Sequence, residues 1–227
     1  MGTSAVEAVV GAVEAAAGVA YREKARRPEA RLVDALEAQF RVPTKREYSR
    51  ERVEGWVRQP GGVDLALLRP DGRAFALIET KIAKLDESPW DILKLAALRR
   101  HPHVEGAFLV YEGPAALFES DSDCAVLFRG TRTRPIHLPT AELVGRWPRA
   151  WANLLDGGYG SHPLDAPVGV SLCLRFVARA VRYPEREIRV VEVAALDGPG
   201  VTFSGRRLAR RSGAPGGSRH TGCPTLP

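Results

Sequence analysis

The chain has 227 residues, 44% of them hydrophobic, and a formal net charge of +6. That is enough apolar material for one globular core with an appendage, and no apolar run reaches membrane-spanning length. Three cysteines, Cys124, Cys173 and Cys223, stand far apart without a CxxC pair, which argues against a zinc ribbon, an iron–sulfur cluster or a disulfide scaffold.

The same cysteine usage points to a reducing, cytoplasmic setting. With no Lys or Arg before Arg22, the N-terminus does not read as a secretory signal. The positive charge is local. Arg206, Arg207, Arg210, Arg211 and Arg219 follow Asp197 with no acid among them, so the first 197 residues carry about +1. The overall basicity is therefore no argument for a nucleic-acid surface on the folded part.

Residues 4–20 predict a helix. Ser4 and Glu7 have capping-box spacing, and Val6, Val9, Val10 and Val13 form an apolar stripe suited to packing or to a homodimer contact. A basic linker, Tyr21 to Pro28, leads to a second helix over residues 29–40. Pro28 suits its first turn, and Leu32, Val33, Leu36 and Phe40 share one face. Glu29 falls within that face and Glu37 at its edge. A carboxylate at the helix start also favours the helix dipole by some tenths of a kcal/mol. Residues 46–57 predict an irregular strand.

The stretch Gly61–Lys81, GGVDLALLRPDGRAFALIETK, predicts a β-hairpin with strands over 63–68 and 74–81, joined across Pro70-Asp71-Gly72. Alternation puts Phe75, Leu77, Glu79 and Lys81 on one face of the second strand, with Ile78 and Thr80 on the other. Pairing with a residue-number sum of 143 places Asp64 opposite Glu79, and a sum of 145 places it opposite Lys81. Any odd sum is expected to put Asp64 on the Glu79 face. Directly opposed Cβ atoms are about 5 Å apart. Two carboxylates at that distance call for a cation, and Mg²⁺ takes oxygen ligands at roughly 2 Å with one or two carboxylates.

Residues 90–100 predict a helix capped by Ser88, with Pro89 in its first turn and with Asp91 and Lys94 as surface neighbours. Residues 104–111 and 124–128 predict strands. The first of these closes a strand–helix–strand crossover, which favours parallel pairing. His101-Pro102-His103 reads as a loop. Residues 141–155 predict a helix carrying Trp147 and Trp151, and residues 168–181 and 188–196 a second hairpin. From Gly205 the sequence is rich in Gly, Pro and Arg and reads as a disordered tail.

Asp64 followed by Glu79-Thr80-Lys81 resembles the signature of the PD-(D/E)xK nuclease superfamily. The residue before the Asp, often Pro in that superfamily, is Val63 here, with Pro60 three residues earlier. The resemblance covers about residues 29–128. It implies a restriction-endonuclease-like α/β fold, a mixed sheet flanked by helices, with an N-terminal helix and a C-terminal hairpin extension. The division expected is 1–28 for helix and linker, 29–150 for the core, 151–204 for the extension and 205–227 for the tail. It further implies Mg²⁺ or Mn²⁺ as cofactor, DNA as partner with RNA left open, and no membrane partner. Asp64, Glu79 and Lys81 would be catalytic. Asp64, Glu79, the Thr80 carbonyl and Glu29 would hold metal, with Lys94 and Glu37 as accessory residues.

Two other classes stay in view. One is a catalytically silent nucleic-acid-binding or assembly module that keeps the nuclease fold, and the other is an interaction scaffold. An isolated Glu/Lys pair on a strand is common, and exposed it is worth only ~0–1 kcal/mol. No P-loop, GxSxG or GxGxxG is present to suggest other chemistry.

Overall fold

The computed structural model describes residues 4–17, 28–50, 62–82, 88–119, 125–128, 136–139, 171–183 and 186–195. Helix α1 spans Ala5–Ala17, with its capping box formed as its sequence suggests. The Ser4 amide donates to Glu7 Oε2 at 3.0 Å, and the Glu7 amide to Ser4 Oγ at 3.2 Å. Val9 and Val13 are buried with Ala5, Ala12 and Ala16. Helix α2, Pro28–Glu37, buries Leu32, Val33, Ala35 and Leu36, with Phe40 packed just beyond its end.

Among the described residues, seven strands make one mixed sheet. They are β1 (Thr44–Tyr48), β2 (Val63–Leu68), β3 (Ala74–Ile82), β4 (Gly106–Pro114), β5 (Ile136–Pro139), β6 (Ser171–Tyr183) and β7 (Arg186–Ala195), in the order β1-β2-β3-β4-β7-β6-β5. Among these described strands only β3 and β4 pair in parallel, and helix α3 (Ser88–Leu98) lies between them in the chain. A crossover of that kind cannot return antiparallel without a longer connection. The C-terminal hairpin is continuous with this sheet, because β7 pairs antiparallel with β4.

Apolar side chains cover both faces, which is why β3 and β4 read as near-unbroken hydrophobic runs. On one face Ala66, Leu77, Leu109 and Tyr111 pack against Ile92, Leu93, Leu95 and Ala96 of α3. On the other, Leu65, Ile78, Phe108 and Val110 pack against α1 and α2. No helix among the described residues is long and apolar enough to cross a membrane.

The central hairpin adopts the 143 register, with Leu65↔Ile78, Ala66↔Leu77 and Leu67↔Ala76. The register then slips at a bulge between Leu67 and Leu68, so that Leu68 faces Ala74 rather than Phe75. The slip corrects one expectation. Phe75 packs on the α1/α2 side and not with Leu77. Gly72 takes φ +77°, and the turn closes with the Gly72 amide donating to the Arg69 carbonyl at 2.8 Å.

Residues 124–128 are also corrected. Ala125–Phe128 form a 3₁₀ turn after a short helix α4 (Ala115–Glu119), and not a strand. Phe128 lies 5.2 Å from the Phe118 ring and 5.5 Å from Tyr111, so the run buries its apolar side against β4 without needing ladder partners. The helix expected over 141–155, the basic linker before Pro28, the second half of the strand expected over 46–57 and the tail after 205 lie outside the described residues.

Candidate active site

The site begins with a tight backbone crossing. Glu47 in β1 has φ +48°, and Gly62, just before β2, lies directly against it. A Cβ on Gly62 would sit 2.6 Å from the Glu47 carbonyl carbon, so only glycine lets the two chains come together there. The crossing breaks the two-residue alternation at Asp64. Val63 packs on the α3 side with Tyr48, while Leu65 packs on the α1/α2 side.

Asp64 turns toward Thr80 as a result. Its Oδ2 accepts from the Thr80 amide at 2.7 Å and from Thr80 Oγ1 at 2.7 Å. The odd register therefore forms as the hairpin sequence suggests, but it does not place Asp64 on the Glu79 face. The irregular backbone at Glu47 and Gly62 overrides simple alternation.

Asp64 and Thr80 line an open pocket of about 470 Å³, together with Glu29, Arg46, Glu47 and Ile82. Glu29 stands in the first turn of α2, and its Oε1 is buried there with no hydrogen-bond partner. A buried carboxylate oxygen without a donor is costly. Both hydrogen bonds to Asp64 fall on Oδ2, which leaves Oδ1 for a further ligand. Glu37, at the other end of α2, does not line the pocket. It accepts from Thr44 Oγ1 at 2.7 Å and pairs with Arg46, tying α2 to β1. The Thr44 hydrogen bond and the Arg46 charge hold its carboxyl below the usual range against the opposing effect of burial.

Glu79 and Lys81 point to α3. Glu79 is only 2% exposed, and its carboxylate is ion-paired with Lys94. Lys94 also stands 3.6 Å from Asp91 and donates to the Gly62 carbonyl at 3.3 Å. Asp91 holds the Lys81 ammonium at 3.1 Å. The result is a buried chain of alternating charge, Glu79–Lys94–Asp91–Lys81, at the seam between β3 and α3. Glu79 Oε1 and Asp91 Oδ2 lie within ion-pair range of these ammoniums but make no well-directed hydrogen bond.

Burial sets the protonation preferences. It pushes the Glu79 carboxyl well above the usual range, helped by the charges of Asp91 and Asp64 and opposed by Lys94. Burial likewise raises Asp91 against the pull of Lys81 and Lys94. For Lys81, burial acts downward, but the charge of Asp91 at 3.1 Å, helped by Glu29 and Glu79, more than offsets it, and the ammonium is held above its usual value. Lys94 is raised in the same way by Glu79 and Asp91.

Two divisions of labour emerge among the residues singled out by sequence. Asp64, Thr80 and Glu29 share the pocket, while Glu79, Lys81 and Lys94 share the α3 seam, and Glu37 joins neither. The charge of Asp64 still reaches Glu79, so the two groups are electrostatic neighbours across the strand pair. Asp91 was legible only as the surface partner of Lys94. The available signal was its position, three residues before Lys94 in the first turn after the Glu-Thr-Lys strand.

Oxygen donors around an open pocket suit a hard divalent cation, which commonly takes one or two carboxylates and fills the rest with water. Asp64 and the unpartnered Glu29 Oε1 fit that description. Among the described residues, no three His, Cys, Asp or Glu side chains form a ready-made metal group. His101 and His103 stand on the turn after α3, their rings 5.5 Å apart.

No family model, no curated protein and no solved structure matches the chain.

Proposed function

We propose that the chain is a metal-dependent nuclease of the PD-(D/E)xK type, with a restriction-endonuclease-like core, that hydrolyses phosphodiester bonds in DNA. The observation that carries this reading is the juxtaposition on adjacent strands. Asp64 on β2 and Thr80 on β3 line an open pocket with Glu29, and β3 also carries Glu79, which the Asp64 charge reaches, and Lys81 two residues on. The element order supports it as well, with α2, the antiparallel run β1–β3, α3, and β4 parallel to β3.

In this reading Asp64 and Glu79, with Glu29 and the Thr80 carbonyl, would hold Mg²⁺ or Mn²⁺. A bound ion of this kind lowers the pKa of water and offsets charge on the phosphate. Thr80 fixes Asp64 through two hydrogen bonds, so the carboxylate is oriented before any ligand arrives. Lys81 stays an ammonium at neutral pH because Asp91 holds its proton. It can stabilise negative charge that grows on a phosphate oxygen.

A second reading rests on a specific observation. Glu79 is almost wholly buried and already paired with Lys94, as a purely structural ion pair would be. On that reading the chain is a catalytically silent nucleic-acid-binding or assembly module.

The test is cleavage of supercoiled, nicked, linear, single-stranded and branched DNA in Mg²⁺, Mn²⁺ or EDTA, with wild type beside Glu79→Ala. Cutting that needs metal and is lost in the variant is the expected result. Absence of cutting on every substrate, with DNA retained equally in EDTA, would replace the nuclease reading by the silent module.

A further inference from the structure

We propose that Lys94 is the resident counter-ion of Glu79 and must leave that carboxylate when a divalent cation binds, which makes it a positioning residue that sets metal affinity. The inference rests on the metal-dependent reading above and deepens it by naming what regulates the site.

The argument is one of charge and geometry. Three carboxylates converge here, since Glu79 and Asp91 flank the Lys94 ammonium and the charge of Asp64 reaches both of them. Glu79 and Asp91 are buried, so neither can be left without a cation. Lys94 supplies it by standing between them, paired with Glu79 and 3.6 Å from Asp91. Its third contact, the Gly62 carbonyl at 3.3 Å, anchors the ammonium beside the strand that carries Asp64.

A lysine suits this role. Its ammonium is a point charge on a flexible stem and can move without breaking a fixed fork of bonds. Asp91 already lies within reach, so Lys94 keeps an anionic partner after it gives up Glu79. Glu79 then becomes available to an ion held by Asp64 across the strand pair. The pocket side carries the complementary feature, since Glu29 Oε1 is buried without a donor. One carboxylate oxygen thus lacks a hydrogen bond where the cation would enter, and another carboxylate is held by a flexible lysine.

Removing the ammonium should therefore raise metal affinity, the opposite of what loss of a supporting residue ordinarily does. The experiment is calorimetric titration of Mn²⁺ into wild type, Lys94→Met, Lys94→Arg and Asp64→Ala. Lys94→Met should bind at least about tenfold more tightly than wild type, since Mn²⁺ no longer competes with a resident charge. Lys94→Arg keeps a cation at Glu79 and should bind no more tightly than wild type, and Asp64→Ala should lose binding.

Lys94→Met leaves Glu79 without its ion pair, and Asp91 with Lys81 alone, which lowers its stability in EDTA. Circular dichroism then gives the second readout, in which saturating Mn²⁺ restores the fold by taking the place of the ammonium. Equal or weaker binding by Lys94→Met, with binding lost in Asp64→Ala, overturns the counter-ion role and leaves the metal site standing. A Lys94→Met protein that stays unfolded in saturating Mn²⁺ overturns it too. No Mn²⁺ binding by wild type or Lys94→Met overturns both this inference and the reading beneath it.

Discussion

Two ionic clusters are buried in the same sheet, and they differ in the cations that build them. At the β3/α3 seam, Glu79 and Asp91 are served by lysines, Lys94 and Lys81. Across β4, β7 and β6, Glu112 pairs with Arg186 at 3.3 Å, and Glu187 pairs with Arg179 and, at 2.9 Å, with Arg189. The Arg189 guanidinium also lies 4.2 Å over the Phe118 ring. Glu79 and Glu187 are each 2% exposed, yet their carboxyls shift in opposite directions.

Burial acts upward on both. At Glu187 the hydrogen bonds and charges of two arginines outweigh it, and the carboxyl is held below the usual range. At Glu79 one lysine faces burial and two further carboxylates, and the carboxyl is held well above it. In the arginine cluster three guanidiniums face two carboxylates, so Glu187 has cations to spare. Counting Asp64, whose charge reaches Glu79 from the open pocket, the lysine cluster sets two ammoniums against three carboxylates. A deficit of that kind at a cleft is a functional signal, although a structural network can also produce one.

The largest expected effect separates the two clusters by activity. Glu79→Ala and Lys81→Ala should each lower metal-dependent cleavage by about a thousandfold. Glu187→Ala should leave the rate per folded molecule unchanged. Steady-state rates normalised to folded protein check this, and equal losses at Glu79 and Glu187 would dissolve the distinction.

Stability should divide them the other way. Glu187→Gln leaves Arg179 and Arg189 around a neutral side chain and should cost about 3 kcal/mol in urea denaturation. In EDTA, Glu79→Gln should cost less, because burial raises the proton affinity of the Glu79 carboxyl in the folded state and offsets part of what its pairing with Lys94 contributes.

Acid titration sharpens the same contrast. The Glu79 carboxyl binds its proton more tightly folded than unfolded, so its contribution favours folding at lower pH and is lost as pH rises through its raised folded value. Glu187 is depressed, so its contribution is present above the ordinary value and is lost as pH falls through the folded one. In EDTA, Glu79→Gln should flatten part of the stability gained on acidifying from neutral, with Asp91 supplying the rest. Glu187→Gln should flatten the loss at the acid end. Urea midpoints across pH measure both slopes.

The smallest effect belongs to the surface. Arg46 bridges Asp34 at 2.7 Å and also pairs with Glu37, but it is 44% exposed. Arg46→Ala should cost about 0.5 kcal/mol, far less than either buried cluster, and a thermal melt against wild type checks it.

Much of this was readable in the sequence, and the reasons are local. The hairpin strands around Pro70-Asp71-Gly72, the capping box at Ser4 and Glu7, and the parallel crossover through α3 all follow from turn chemistry, side-chain periodicity and connection length. The side to which Asp64 turns was not readable. It depends on the positive φ of Glu47 and its close approach to Gly62, a tertiary event between residues 15 apart with no periodic signature. The role of Asp91 was hidden for a related reason. A helix wheel shows it beside Lys94, but only the packing of α3 on β3 brings that pair to Glu79 and Lys81. The bulge at Leu67 and Leu68, which moved Phe75 to the other face, likewise leaves no mark in an alternating pattern.

The most direct measurement is an anomalous difference map from crystals soaked in Mn²⁺, wild type beside Glu79→Ala. The account predicts a peak bound by Asp64 and Glu79 in the wild type, with Lys94 Nζ withdrawn toward Asp91, and a weakened or absent peak in the variant. A wild-type map with no peak at Asp64, or with Lys94 still seated on Glu79 beside a bound ion, would contradict it.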